Sequence, residues 1–250
     1  MSPVVPALCP RNKVSVNNPA QGPRGDQVSR MFGEIADRYD LMNRIMTFGQ
    51  DQRWRRQAVQ ATELRAGNTA LDVATGTGDL AFALARQVQP GGHVVGIDFA
   101  EPMLDIAIRK AREEDLPVVF EVGDALHLRF EDNGFNAVTC AFGLRNMEDR
   151  QSALNEMTRV VRPGGRVVIL EMTPPRNALA RRYMDQVVPR LGQVVARARE
   201  AYTYLPESAK EFPEAETLGR MLQVAGLRKV TYRLFNFGTV ALHWGTKPAE

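Results

Sequence analysis

Apolar residues along this chain follow two rhythms, and the change between them marks its organisation. From Val28 to about Thr62, "VSRMFGEIADRYDLMNRIM" and "DQRWRRQAVQAT" place apolar residues three and four apart, which predicts two helices. After Gly67, short apolar runs without polar alternation take over. They predict strands at Thr69–Ala74, His93–Asp98, Val118–Val122, Ala137–Phe142 and Arg166–Glu171. Helical lengths separate them, at Leu80–Val88, Pro102–Glu114 and Arg150–Val161. Strands apolar on both faces and joined by helices build a doubly wound parallel sheet.

The alternation then breaks. Residues 174–213 are basic and partly helical, carry Pro174, Pro175, Pro189, Pro206 and Pro213, and read as a lid-like insertion. A helix at Ala215–Ala225 stops at Gly226, and two strands, Arg228–Leu234 and Thr239–Gly245, come after it. The "FNFG" between them is too short for a parallel crossover, so an antiparallel hairpin is predicted. The expected fold class is α/β: a Rossmann-like, mostly parallel, seven-stranded sheet with a C-terminal antiparallel hairpin and N-terminal helices. Residues 28–250 read as a single domain, helical over 28–66, and residues 1–27 as a disordered extension poor in large apolar groups.

Composition alters this picture little. The 250 residues are 44% hydrophobic and 24% charged, ordinary for a soluble globular protein. A net charge of +3 is too mild to point to nucleic acid, and none is expected as a partner. Cys9 and Cys140 make neither a disulfide framework nor a metal cluster, which fits a reducing cytoplasm. His93, His127 and His243 lack metal-ligand spacing, so no metal is expected. No apolar run approaches the roughly 18 residues that span a bilayer.

Candidate chemistry begins in "TALDVATGTGDLA", Thr69 to Ala81. Gly76 and Gly78 let the backbone turn tightly after the first strand and approach a ligand closely. With Ala81 the spelling is G-x-G-x-x-A, which suits a dinucleotide, and Asp98 ends the second strand where an acid binds ribose hydroxyls. Asp72 can orient the loop or meet a cationic amino group. Asp124, just after the third strand, lies where adenine is commonly read. Asp79 at the helix start adds negative charge where a pyrophosphate needs positive potential. Acids without a phosphate-binding cation suit S-adenosylmethionine better than a nicotinamide dinucleotide.

"LDVATGTGDLA", "VVGIDFAEPML", "VGDALHL" and "VVRPGGRVVILE" resemble, in order and spacing, the motifs of class I S-adenosylmethionine-dependent methyltransferases. "MFGEIADRYDLMNRIMTFGQDQRWRR", "FGLRNMED", "AYTYLPESAKEFP" and "GTVALHWGTKP" resemble, more narrowly, the quinone-biosynthesis C-methyltransferases, over about Val28 to Lys247. That resemblance implies methylation of a ring carbon of demethylmenaquinol (menaquinone pathway) or a polyprenylated benzoquinol (ubiquinone pathway). It implies cofactor contacts at Thr77, Asp98, and Asp124 with Ala125. Ala141 departs from the serine often found there, so no contact is carried over. "VVARAREAY" is more basic than the stretch often seen there.

A ring carbon attacks a methyl group once a neighbouring hydroxyl loses its proton, so the site needs a phenolate-stabilising group and a proton acceptor. Arg145 and Asn146 in "FGLRN" come directly after the fourth strand at the carboxyl edge, where open α/β sheets bind ligands. Arg145 can stabilise the phenolate; its plainer role is a surface pair with Glu148 or Asp149. Asn146 can orient a hydroxyl or a water. His243 and Tyr204 are the candidate bases, although a strand histidine is also commonly a packing residue. Tyr202 and Tyr204 lie in the lid-like segment, and Tyr39, Asp40 and Asn43 can wall the pocket opposite. Arg181, Arg182, Arg190, Arg197 and Arg199 are a candidate face for transient docking on a membrane surface, where a polyprenylated quinol resides. A homodimer is a candidate assembly. An NAD(P)-dependent oxidoreductase and a non-catalytic scaffold of a quinone-synthesis complex are the alternatives.

Overall fold

The computed structural model describes residues 40, 41, 43–174 and 208–249. Residues 40, 41 and 43–46 are helical, and a first full helix, α1, spans Gln50–Ala61. The alternation expected after Gly67 is present as β1 (Thr69–Val73), α2 (Asp79–Val88), β2 (His93–Asp98), α3 (Glu101–Glu114) and β3 (Val118–Val122). It continues through β4 (Phe135–Ala141), α4 (Arg150–Val160), β5 (Val161–Met172), α5 (Ala215–Val224), β6 (Arg228–Phe235) and β7 (Val240–Thr246). The seven strands form one sheet in the order β3-β2-β1-β4-β5-β7-β6.

β1 to β5 pair in parallel, while β7 runs antiparallel to both β5 and β6. The strand order reverses between β1 and β4, so the tips of β1, β2 and β4 border one crevice, the usual ligand position in such sheets. β4 and β5 begin earlier than the apolar pattern indicates. Phe135 pairs with Val161 across a register shift, and Gly164 at φ 76 carries the chain through the irregularity.

The sheet is apolar on both faces because each is covered. On one side α1 and α2 bury Trp54, Ala58, Leu80, Leu84 and Val88 against Ala70, Ala137, Val168 and Leu170. On the other, α4 and α5 bury Leu154, Met157, Leu218 and Leu222 against Leu71, Val73, Val138 and Ile169. α1 runs against the strand direction. The carbonyl of Ala61 meets Nη1 of Arg166 (2.9 Å), which pairs with Ala137 near the start of β4, and Trp54 stacks on Phe235 at the end of β6. The beginning of α1 therefore lies on the carboxyl edge of the sheet, beside the crevice.

Candidate active site

The glycine loop is held by carboxylates underneath it. Asp72 is buried in β1 and accepts the hydroxyls of Thr75 (2.7 Å) and Thr139 (2.6 Å). Asp98, at the end of β2, accepts the backbone N–H groups of Gly76 (2.8 Å) and Ala100 (3.0 Å). Burial pushes the Asp72 carboxyl up from 3.8 to about 6, against those two hydroxyl bonds, and burial also raises Asp98. At Gly78 the backbone has φ +88, and a Cβ would lie 2.8 Å from Phe82 Cζ, so both conformation and packing require glycine.

Beyond the loop, the structure joins groups far apart in sequence. Thr77 Oγ1 donates to Asp40 Oδ1 (2.6 Å), and Lys110 Nζ of α3 reaches Asp40 Oδ2 (2.5 Å), Asp79 Oδ1 (3.1 Å) and the Thr77 carbonyl (3.3 Å). The expected role of Asp79 is thereby corrected. The acid faces Lys110, so the loop is not lined by uncompensated negative charge. Asp124 stands just after β3 and shapes its own turn, accepting from Leu126 N (2.8 Å) and lying 3.2 Å from His127 Nδ1. The Gly123 N–H beside it donates to the Asp98 carbonyl (3.0 Å), which ties the β3 tip to the β2 tip. Ala125 is half-buried at the same turn.

At the β4 tip, Arg145 lies in a short 3-10 turn, Leu144–Asn146, and is 3% exposed. Its Nη1 pairs with Glu171 Oε1 (2.9 Å) and also donates to the Phe142 carbonyl, while its backbone N–H reaches Glu171 Oε2 (3.1 Å). The guanidinium expected to stabilise a phenolate is thus already paired with the buried Glu171, and the plainer role, a pair on the surface, is replaced by this buried one. Asn146 is half-buried at the carboxyl edge of β4.

His243 is corrected more sharply. It is fully buried in β7, its Nε2 lies 2.8 Å from the Ala215 carbonyl, and its ring stacks on Tyr232. Burial lowers its pKa from 6.5 to about 4. Its neighbours across the sheet are Ile169 and Tyr232, in mid-strand, so it takes no part in the crevice. Asn43 is described in the helical residues before α1, where its carbonyl accepts the Thr47 hydroxyl (2.7 Å). Tyr39, Tyr202, Tyr204 and the arginines of residues 181–199 lie outside the described residues, as do the extension 1–27 and most of the insertion. No metal-binding group of acids, histidines and cysteines occurs among the described residues.

A family model, the ubiE/COQ5 methyltransferase family, matches residues 20–247. The chain belongs to this family. Among relatives of this member, a demethylmenaquinone methyltransferase of Thermus thermophilus is 50% identical over 222 residues, covering 87% of this chain and 100% of the relative. One of Deinococcus radiodurans is 46% identical, covering 90% and 94%. A ubiquinone/menaquinone biosynthesis C-methyltransferase of Geobacter sulfurreducens is 40% identical, covering 90% of each. Among solved structures, an S-adenosylmethionine-dependent methyltransferase of Thermotoga maritima aligns with TM-score 0.62 at 18% identity, covering 87% of this chain and 98% of that one. At that identity it speaks to fold alone, and the fold is that of class I methyltransferases.

Sequence reasoning missed three charged residues that pack at the glycine loop or at the β4 tip. Lys110 and Glu171 act through partners 26 to 70 residues away, and no local spacing announces such pairs. The third, Arg55, lies in "RWRRQ", a cluster that reads as a solvated helix face. Arg53 and Arg56 are exposed as that reading requires, but Arg55 turns inward.

Proposed function

We propose that this ubiE/COQ5 family member catalyses S-adenosylmethionine-dependent C-methylation of a polyprenylated quinol ring, demethylmenaquinol to menaquinol or the benzoquinol counterpart. The observation that carries the reading is the loop closed across two strand tips, Gly76 N–H on Asp98, in a chain half identical to a demethylmenaquinone methyltransferase. The residues fit the cofactor. Asp98 retains lone pairs for ribose hydroxyls, Asp124 and Ala125 stand at the next strand tip for adenine, and Gly76 presents bare backbone. When bound, S-adenosylmethionine supplies an electrophilic methyl group on a sulfonium.

The remaining chemistry falls to the chain. Thr77 caps the loop, and Asp72 holds Thr75 from below, so the loop is set before ligands arrive. We assign Arg145 a positioning role: pinned by Glu171 and the Phe142 carbonyl, it fixes the turn that presents Asn146. Asn146 orients the ring hydroxyl, Tyr204 in its phenolate form takes up that hydroxyl's proton, and Tyr39 and Asn43 are assigned to substrate binding. The dinucleotide alternative loses its support, because the relatives are methyltransferases. Calorimetric titration separates the two: S-adenosylmethionine binds and NADH does not. Binding of NADH alone overturns the reading.

We further propose that the protein is cytoplasmic and docks transiently on the membrane that holds its substrate. No described helix is long and apolar enough to cross a membrane. Phe48, 76% exposed just before α1, and Phe237, 77% exposed in the β6–β7 turn, both sit on the carboxyl edge that borders the crevice. Exposed aromatic groups suit a membrane interface. Co-sedimentation with anionic vesicles at low salt is the expected result, weakened by Phe48→Ser with Phe237→Ser; no binding at low salt refutes it.

A further inference from the structure

We propose that Arg55 is the anion-binding residue of this active site, receiving a carboxylate or phenolate oxygen of the bound reactants. Its side chain is 11% exposed, and Nε is buried without a hydrogen-bond partner. Its ion pair with Asp51 is a long one, Nε to Oδ2 at 4.0 Å and beyond hydrogen-bond range, and the other oxygen of Asp51 is taken by the Thr47 hydroxyl (3.0 Å). A guanidinium offers five N–H donors, and burying one unsatisfied is costly unless a ligand completes it.

The position is as informative as the missing hydrogen bond. The Arg55 guanidinium carbon lies 5.5 Å from the ring centroid of Phe142, the residue directly after β4, and its charge acts on Asp72 beneath the glycine loop. Arg55 thus stands between α1 and the tips of β1 and β4. Two other cations among the described residues of the crevice have closer ion pairs, Lys110 with Asp40 and Asp79, and Arg145 with Glu171. Resting on the function proposed above, both reactants bring one anion each: the α-carboxylate of the methyl donor and the phenolate of the activated quinol. Either oxygen completes the donor set of Arg55 through a charge-assisted bond.

Two ligands and one pH profile distinguish the sources. Wild type, Arg55→Lys and Arg55→Met are titrated calorimetrically with S-adenosylhomocysteine and with 5′-methylthioadenosine, which lacks the amino-acid part. If the anion is the carboxylate, Arg55→Met weakens S-adenosylhomocysteine about ten- to a hundredfold and leaves methylthioadenosine unchanged. If it is the phenolate, both affinities hold, while the acidic limb of the methyl-transfer rate moves to higher pH and Arg55→Lys restores it in part. Unchanged affinities with an unchanged pH profile overturn the proposal. So does an equal loss for both ligands with a lowered melting temperature, which marks Arg55 as structural. A wild type that binds S-adenosylhomocysteine yet methylates no quinol refutes the proposed function, and the calorimetric arm still decides Arg55.

Discussion

Asp72→Asn tests the strain held beneath the glycine loop. The Asp72 carboxyl is raised from 3.8 to about 6 because burial outweighs the hydroxyls of Thr139 and Thr75. That difference corresponds to about 3 kcal/mol between the two protonation states. The folded pKa lies above the unfolded one, so the contribution is fully present below pH 3.8 and is lost as pH rises through about 6. At pH 8 the ionised group weakens the fold by that amount. Asparagine carries no charge at any pH and keeps one carbonyl acceptor, but one of the two threonine bonds is altered, at about 1 kcal/mol. The variant is therefore expected to be about 2 kcal/mol more stable than wild type at pH 8 and about 1 kcal/mol less stable near pH 4. Urea unfolding at pH 4, 6 and 8 measures both. A stability difference that does not change sign or size with pH refutes the reasoning.

Other perturbations draw on the same geometry. Arg145→Met alone leaves Glu171 charged and buried and is expected to cost about 3–5 kcal/mol, whereas Arg145→Met with Glu171→Leu recovers most of it in a double-mutant cycle. His243, lowered to about 4, contributes stability that is present above its ordinary 6.5 and is lost as pH falls through about 4. His243→Phe is expected to keep kcat and to flatten that loss, about 3 kcal/mol, in melting curves from pH 7 to 4; a collapse of kcat returns the histidine to the site. Lys110→Met leaves Asp40 and Asp79 to repel each other and unties the Thr77 carbonyl, and this loosening of the loop is expected to weaken cofactor affinity about tenfold. Adding Asp40→Asn restores part of it, as calorimetry checks.

Periodicity revealed most of the fold because the sheet is buried on both faces, so apolar runs and helical spacings report directly on strand and helix. The limits of β2 and β3 coincide with the runs His93–Asp98 and Val118–Val122. β5 exceeds its run, because "RPGG" pairs through a bulge that carries no apolar signature. In the site, the backbone-setting residues were legible: Gly76, Gly78 and Asp98 sit where strand-to-helix geometry demands them. Charge partnerships were not. Arg145 with Glu171, Lys110 with Asp40, and the inward turn of Arg55 depend on tertiary contacts that spacing along one strand or helix cannot encode. His243 shows the reverse: its residue type invites a catalytic role, and its burial beneath α5 removes it.

Isotopic labelling reads methylation of a quinol ring carbon directly. The full-length protein is incubated anaerobically with S-adenosyl-L-[methyl-13C]methionine and demethylmenaquinol in lipid vesicles, and the extracted quinone is analysed by mass spectrometry and 13C NMR. One labelled methyl group bonded to the ring carbon, with release of S-adenosylhomocysteine in equal amount, is the expected result. Label on a quinol oxygen, or no transfer by protein that binds the cofactor, contradicts it.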